Sequence, residues 1–165
     1  MNNQAKKSRP IDYIRKFFAT GSFTGYFPIA PGTWGSLLAC IILWFVWPPQ
    51  WYIQFAAIIV FYPIAVYFAG KAEAYFGHDG HPIVIDEVIG QMVTLFMAPH
   101  DLLVYVIGFL LFRAFDIIKP PPARGWEKFR GGFGIVADDM AAGVYAAITL
   151  QLLIVLLAKW GIEFL

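Results

Sequence analysis

Hydrophobic residues along this chain fall into five long blocks, which short polar segments separate. The blocks comprise residues 37–47, 51–69, 83–98, 102–118 and 140–158. No block shows the sustained alternation of apolar and polar residues that predicts a β-strand. Long apolar runs of this kind favour α-helices buried in protein or lipid. The pattern therefore predicts an all-α fold, a compact integral membrane bundle of about five hydrophobic helices, some of them short or partly inserted.

The blocks differ in whether they can cross a bilayer alone. Block 51–69 approaches the about 20 residues that a spanning helix needs, with a kink expected at Pro63. Block 37–47 is shorter, so it either extends backwards through Ser36 and Gly35 or inserts only partly. The turn between these two blocks carries aromatic residues typical of a membrane interface: Trp44, Trp47, Trp51 and Tyr52.

The length and the continuous pattern indicate a single domain. Residues 1–34 form a basic N-terminal segment, and residues 35–158 form the membrane core. Within the basic segment, Ile11, Ile14 and Phe18 recur at helical spacing, which predicts a short helix at the membrane interface. A basic tail that only fixes topology is an equally good interpretation.

Composition supports a membrane location. Of all residues 59% are hydrophobic and only 14% are charged, whereas a typical soluble domain has about 25% charged residues. The net charge is +1, from 12 basic and 11 acidic residues, so no strongly basic surface indicates a nucleic-acid partner. The single cysteine, Cys40, excludes an internal disulfide framework and a cysteine-rich metal site.

The distribution of cations predicts the orientation of the chain. The N-terminal segment and residues 119–130 both have an excess of cations, so both are expected to face the cytoplasm. Five crossings then place the N-terminus and the connections 70–87 and 113–139 on the cytoplasmic side. The turns at 48–50 and 99–101 fall on the opposite side.

Five of the acidic residues do not fit a solvated surface: Asp86, Glu87, Asp116, Asp138 and Asp139. Each lies within or at the edge of a hydrophobic helix, where an ionisable group is costly and marks function by default. Helix capping is the structural alternative for the two adjacent pairs, but a cap needs only one acceptor.

Glycines accompany the second acidic pair. The tract Gly131–Gly134 has no periodicity and predicts a loop, after which Asp138 and Asp139 open the last helix. A glycine-rich loop before a helix N-terminus is a favourable anion site. Gly143 lies one turn after Asp139 and allows a neighbouring helix or ligand to approach closely.

Cations and hydroxyl groups near the acidic pairs predict an anionic substrate. Arg113 and Asp116 share one helical face, and Lys119 follows at the end of that helix. An intrahelical salt bridge is the structural alternative. Thr33 and Ser36, in the segment P-G-T-W-G-S, are candidates for binding phosphate, although that segment alone indicates little more than a turn and a helix cap.

These groups all fall on the predicted cytoplasmic edge. Carboxylates from several helices are typical ligands of Mg²⁺, and Mg²⁺ with Arg and Lys stabilises charge during phosphoryl transfer. A site at the membrane edge implies a substrate with a polar head and a buried tail. The residues alone thus predict Mg²⁺-dependent chemistry on a phospholipid headgroup. His78 and His81, in a polar connection, are interpreted as surface residues rather than metal ligands.

Four motifs resemble the signature blocks of the phosphatidylglycerophosphatase A family, in the same order, and the resemblance covers about residues 16–158. They are P-G-T-W-G-S (31–36), D-E-V-I-G (86–90), F-R-A-F-D-I-I-K-P (112–120) and G-G-F-G-I-V-A-D-D-M-A-A-G (131–143). The resemblance implies an all-helical, Mg²⁺-dependent lipid phosphatase of the bacterial inner membrane. Such an enzyme hydrolyses phosphatidylglycerophosphate to phosphatidylglycerol and inorganic phosphate.

The hypothesis for the site assigns each candidate a role. The predicted metal ligands are Asp86, Glu87, Asp138 and Asp139. Asp116 joins them as a catalytic candidate, while Arg113 and Lys119 bind the phosphate with help from Thr33 and Ser36. The nucleophile is either a metal-activated water or an aspartate that forms a phosphoenzyme. A small cation transporter or channel is the alternative function, and it would need its charges near the membrane midplane.

Overall fold

A computed structural model describes residues 10–77, 80–121, 123–126, 129 and 131–161. Within these residues the chain forms α-helices and one 3-10 helix, with no β-strand, so the predicted all-α fold is confirmed. The elements are α1 (Pro10–Ala19), the 3-10 helix (Thr24–Tyr26), α2 (Pro31–Val46), α3 (Trp51–Phe76), α4 (Ile85–Thr94), α5 (Leu102–Ile118), α6 (Ala123–Trp126) and α7 (Gly132–Lys159).

The helices α2, α3, α4, α5 and α7 run alternately up and down. We call the end where α2 and α4 begin the first end, and the end where they finish the second end. At the second end, the indole Nε1 of Trp47 donates to the Leu95 carbonyl at 3.1 Å. There the Gln54 side chain also accepts from the Met97 backbone N–H at 2.8 Å. Helix α7 packs against α3, α4 and α5.

Helix α4 is short and forms the centre of the bundle. Its ten residues rise only about 15 Å, half of a hydrocarbon core. The third hydrophobic block is therefore helical over only part of its length. Beyond Thr94 the chain continues in hydrogen-bonded turns, with Met97 in the left-handed region at φ 58°. This brings the chain round to the start of α5.

Two helices, α3 and α7, are long and apolar enough to cross a membrane, with mean hydropathies of 1.9 and 2.2 over their most apolar windows. Helices α2 and α5 are also apolar but have 16 and 17 residues. Large hydrophobic side chains remain exposed on the outer faces, for example Phe45 at 79% and Leu102 at 67%. The fold is thus a membrane helical bundle, while the number of complete crossings stays a prediction.

Two helices begin earlier than the sequence pattern predicts. Helix α2 begins at Pro31, a favoured first helical residue, so the boundary placed between residues 34 and 35 lies inside this helix. Helix α7 begins at Gly132, so the prediction of a loop at Gly131–Gly134 is wrong over most of its length. A side chain on Gly132 would overlap the carbonyl of Val66 on α3. This glycine therefore serves helix packing rather than loop flexibility.

The predicted N-terminal helix is present as α1. Ile11, Ile14 and Phe18 lie on its exposed surface, as the helical spacing indicates. The helix is attached to α3, since the Tyr75 hydroxyl donates to a carboxylate oxygen of Asp12 at 2.5 Å. Its location at a membrane interface remains a prediction.

Candidate active site

Three buried carboxylates meet at the first end of the bundle. Asp86 and Glu87 lie in the first turn of α4, and Asp139 lies about two turns into α7. One carboxylate oxygen from each residue lies within 4.8 Å of the others. The residues are 5%, 8% and 4% exposed, respectively. Three acidic side chains from two helices thus converge away from solvent.

Glycines allow these two helices to approach closely. A Cβ atom on Gly143 of α7 would lie 2.6 Å from the carbonyl oxygen of Gly90 on α4, closer than real Cβ atoms come. Gly90 lies one turn after Asp86, and Gly143 lies one turn after Asp139. The contact between the backbones therefore sets the distance between the carboxylates, and the predicted close approach at Gly143 is confirmed.

The electrostatics of this cluster favour a bound cation. Glu87 Oε2 and Asp139 Oδ2 are buried and accept no hydrogen bond from any described residue. Glu87 lies outside both candidate membrane spans. Burial raises the pKa of its carboxyl group, and the negative charge of Asp139 raises this pKa further. Buried, crowded carboxylate oxygens of this kind are the donors that Mg²⁺ prefers. The residues present therefore fit a divalent metal ion.

Arg113 connects three helices beside the cluster. Its Nη1 atom lies 2.6 Å from Asp116 Oδ2 on the same helix, so the intrahelical salt bridge that the sequence offered as the structural alternative is present. The same nitrogen lies 3.7 Å from Glu87 Oε1 on α4 and 3.4 Å from the Ser36 hydroxyl on α2. Ser36 in turn donates to the Gly32 carbonyl at 2.7 Å. The guanidinium is thus fixed in position by α2, α4 and α5.

Lys119 is the second cation at the site that contacts a carboxylate. It caps the C-terminus of α5 in a left-handed conformation, with φ 48°. Its Nζ atom lies 2.7 Å from Asp138 Oδ2 on α7. Although Asp138 is also buried, it lies outside the three-residue group with Asp139. The four predicted metal ligands are therefore divided between two arrangements.

An open cavity of about 720 Å³ contains these groups. Its charged wall consists of Asp86, Glu87, Arg113, Asp116, Lys119, Asp138 and Asp139. The facing wall comes from the chain around the 3-10 helix and the start of α2, including Tyr26, Phe27, Ala30 and Gly32. Seven of the nine predicted site residues therefore line one cavity.

The two predicted hydroxyl groups are not part of this wall. Both residues belong to the first turns of α2 rather than to a loop before it, and neither Thr33 nor Ser36 lines the cavity. Ser36 is fully buried and reaches the site through Arg113. We observe no contact of the Thr33 side chain with the charged groups in the described part of the chain.

Sequence reasoning missed the role of Gly32. A Cβ atom at this position would overlap Glu87 Oε1 and lie 3.1 Å from Arg113 Nη1. The start of α2 can approach the charged groups only because this residue has no side chain. Gly32, the first glycine of P-G-T-W-G-S, is the only signal of this contact that the sequence contains.

A histidine also contributes to the cavity. His81, interpreted from the sequence as a surface residue, is exposed and lines the cavity together with Gly80 and Pro82. His78 lies outside the described residues. The connection between α3 and α4 therefore forms part of the wall.

Comparison with known proteins gives a consistent assignment. The sequence model of the family "Phosphatidylglycerophosphatase A" matches residues 17–154. A Bacteroides thetaiotaomicron protein, whose name proposes phosphatidylinositol-3-phosphatase activity, is 37% identical over 91% of this chain and 96% of its own. Proteins named phosphatidylglycerophosphatase A are 37% identical in Haemophilus influenzae and 38% identical in Escherichia coli. These matches cover 89% and 78% of this chain, and 92% and 77% of the relatives.

No solved structure gives a significant match to the chain. The family model covers most of the sequence, and it includes every carboxylate and cation that the structure brings into the cavity. The chain therefore belongs to the phosphatidylglycerophosphatase A family.

Proposed function

We propose that this protein hydrolyses the terminal phosphomonoester of phosphatidylglycerophosphate, releasing phosphatidylglycerol and inorganic phosphate. The observation that carries the proposal is a buried cluster of carboxylates beside Arg113 and Lys119, at one end of a membrane helical bundle. The family relationship supports the substrate, since two relatives carry the name phosphatidylglycerophosphatase A.

Asp86, Glu87 and Asp139 are proposed to hold Mg²⁺, because their buried oxygens have the chemistry and the spacing that this cation needs. When bound, Mg²⁺ supplies positive charge to the phosphoryl group and lowers the pKa of a coordinated water. Asp138 pairs with Lys119 instead of joining this group. We therefore propose a separate role for it, which is to position Lys119 for the phosphate.

Arg113 and Lys119 are proposed to bind the phosphate oxygens. Both cations line the cavity, and both are held by carboxylates, so their positions are fixed before the substrate arrives. Fixed cations stabilise developing negative charge without reorganising during the reaction. Ser36 acts by orienting Arg113, and Asp116 neutralises and orients the same guanidinium.

The position of the charges favours a phosphatase over the alternative of a cation transporter. A transport pathway needs ionisable groups along the depth of the membrane. Here the described carboxylates of the cavity gather at the first end, where a lipid headgroup would lie. We therefore place the substrate headgroup in the cavity and its tail in the bilayer.

Phosphate release tests this proposal directly. The purified protein is assayed in lipid vesicles with phosphatidylglycerophosphate, phosphatidylinositol 3-phosphate and phosphatidic acid, with Mg²⁺ or with EDTA. We expect fastest release from phosphatidylglycerophosphate and loss of release in EDTA. Absence of release from all three lipids would reject the phosphatase function. A preference for phosphatidylinositol 3-phosphate would instead reject phosphatidylglycerophosphate as the substrate.

A second measurement identifies the nucleophile. A metal-activated water releases phosphate in one step, whereas an aspartate forms an acid-stable phosphoenzyme that water then hydrolyses. Acid quenching during turnover of ³²P-labelled substrate traps the second species on the protein and leaves no label with the first.

We propose that the protein resides in the bacterial cytoplasmic membrane with its site facing the cytoplasm, from the cation excess near the first end. Gly125 lies near the first end and Gln50 lies in the turn at the second end. A membrane-impermeant maleimide applied to spheroplasts should label Gln50→Cys and spare Gly125→Cys until the membrane is opened. The reverse labelling pattern would show that the first end faces away from the cytoplasm.

A further inference from the structure

An apolar groove runs along the outside of the bundle between α2 and α5, with a volume of about 370 Å³. Its floor is buried, since Cys40 and Tyr105 are only 7% and 4% exposed. Its walls are formed by exposed hydrophobic side chains from both helices. These walls include Leu37, Ile41 and Phe45 of α2 and Val106 and Phe109 of α5.

The groove starts directly beside the candidate active site. Leu37 follows Ser36 on α2, and Phe109 lies one turn before Arg113 on α5. These two helices meet where Arg113 Nη1 lies 3.4 Å from the Ser36 hydroxyl. The groove therefore begins about one helical turn from the guanidinium that lines the cavity.

The groove continues away from the site along the helix axes. Leu37 and Phe45 are eight residues apart on α2, which corresponds to about 12 Å along the helix. One leaflet of the hydrocarbon core is about 15 Å deep. The groove is therefore long enough to accompany a hydrocarbon chain through most of a leaflet.

The far end of the groove is built from packed aromatic rings. Trp44 lies against His100, with ring centroids 4.1 Å apart, and contacts Tyr105 edge-on at 5.0 Å. The His100 ring is in turn fixed by a 2.7 Å hydrogen bond with the Trp44 carbonyl. These contacts order the aromatic side chains at the end of the groove that lies near the second end of the bundle.

We propose that this groove holds one acyl chain of the phospholipid substrate while the phosphorylated headgroup occupies the cavity. The inference rests on the proposed function and adds the position of the acyl chain, along the outer face of α2 and α5. A chain already in the bilayer gains little hydrophobic free energy from the groove, since both environments are apolar. Its contribution is to orient the phosphomonoester toward Arg113 and the carboxylates.

A matched pair of substitutions tests the groove. Val106 lines it, and Val144 lines a separate apolar cavity formed by residues of α3, α6 and α7 together with Phe129. Both valines are 46% exposed, so Val106→Trp and Val144→Trp add the same bulk in equivalent surroundings. Each variant is assayed with long-chain phosphatidylglycerophosphate and with the deacylated headgroup analogue glycerophosphoglycerophosphate. Ile41→Trp, on the opposite wall of the groove, repeats the test from α2.

We expect Val106→Trp and Ile41→Trp to lower the ratio of kcat/KM for the lipid to kcat/KM for the analogue by about tenfold. Val144→Trp should leave this ratio unchanged. Equal ratios in all the variants would overturn the groove assignment while the phosphatase function stands. Absence of phosphate release by the unmodified protein would instead reject the function.

Crosslinking gives a readout that does not depend on turnover. Phosphatidic acid and phosphatidylcholine with the same diazirine on one acyl chain are incorporated into vesicles with the unmodified protein and irradiated. We expect the phosphomonoester lipid to enrich adducts on Ile41, Val106 and Phe109 relative to phosphatidylcholine. Identical adduct distributions for the two lipids would contradict the proposal.

Discussion

The ammonium group of Lys119 lies 2.7 Å from a carboxylate oxygen of Asp138, and this ion pair joins the end of α5 to α7. The adjacent Asp139 instead converges with Asp86 and Glu87 from α4. Successive residues on a helix point about 100° apart, and on α7 this turns Asp138 toward Lys119 and Asp139 toward α4. The two aspartates should therefore contribute to activity in different ways.

Replacing each aspartate by asparagine separates these roles. Asp139→Asn should lower kcat by about 1000-fold or more, because it removes one of three buried metal ligands. Asp138→Asn should chiefly raise KM, by about tenfold, with the half-activating Mg²⁺ concentration unchanged, because it weakens the positioning of Lys119. Phosphate release measured across Mg²⁺ and substrate concentrations distinguishes the two. An equal shift in the Mg²⁺ requirement of both variants would place Asp138 in the metal site.

Asp101→Asn provides the control for these variants. Asp101 caps α5 at the second end, where its side chain accepts from the backbone N–H groups of Leu103 and Val104. Asparagine caps helices about as well as aspartate. The same chemical change, made away from the cavity, should therefore leave both kinetic constants unaltered.

Binding of Mg²⁺ should stabilise the fold. At a concentration of about 100 times its Kd, a ligand that binds only the folded state adds about 2.7 kcal/mol to the free energy of unfolding. Thermal unfolding in detergent, followed by tryptophan fluorescence, should therefore move to higher temperature with Mg²⁺. Without metal, Asp139→Asn should unfold at a higher temperature than the unmodified protein, because a buried like charge is removed.

The Asp139→Asn variant also supplies the decisive comparison for metal binding. Its unfolding temperature should respond little to Mg²⁺, whereas that of Asp101→Asn should rise as in the unmodified protein. A Mg²⁺-dependent shift of equal size in all three proteins would show that the ion binds elsewhere.

Gly32 should tolerate no side chain. A Cβ atom there overlaps Glu87 Oε1 and crowds Arg113, so Gly32→Ala must displace a metal ligand or the guanidinium. We expect kcat/KM to fall by about 100-fold, the order of loss that a small misplacement of reacting groups causes. Gly125→Ala is the control, because no atom lies within 4 Å of its added Cβ. Comparable activity of the two variants would refute the close approach of α2.

Much of the fold follows from the sequence because apolar runs and their breaks are local properties. The long helices α3 and α7 cover the second and last hydrophobic blocks, and Asp86 and Glu87 stand out as charges in an apolar run. The start of α7 was not predictable in this way. A glycine that allows α7 to contact Val66 looks the same in sequence as a glycine in a flexible loop.

The same limit applies to predicting the site from the sequence. The charged residues could be predicted as a group, because each ionisable side chain in an apolar helix requires compensation. The pairing of Asp138 with Lys119 and of Asp139 with α4 could not, since both depend on the rotation of α7 relative to α4 and α5. The importance of Gly32 and the contribution of His81 to the cavity also depend on contacts between segments distant in sequence.

Arg113 should require its guanidinium and not only its charge. One terminal nitrogen reaches Asp116, Glu87 and Ser36, and Nε is buried, so we expect the second terminal nitrogen to meet the phosphate. Lysine carries the same charge on a single ammonium and cannot maintain this geometry while binding two phosphate oxygens. Arg113→Lys should therefore lower kcat/KM by about 100-fold while the protein stays folded.

Arg124→Lys is the matched control for this substitution. Arg124 is exposed on α6 and contacts only the Ile118 carbonyl, at 3.4 Å, among the hydrogen bonds described for it. Its replacement should leave kcat/KM within about twofold, since an exposed contact of this kind contributes little. If Arg113→Lys retained the activity of Arg124→Lys, a positive charge alone would suffice at this position. The bridging of α2, α4 and α5 by the guanidinium would then be structural, and phosphate binding would depend chiefly on Lys119.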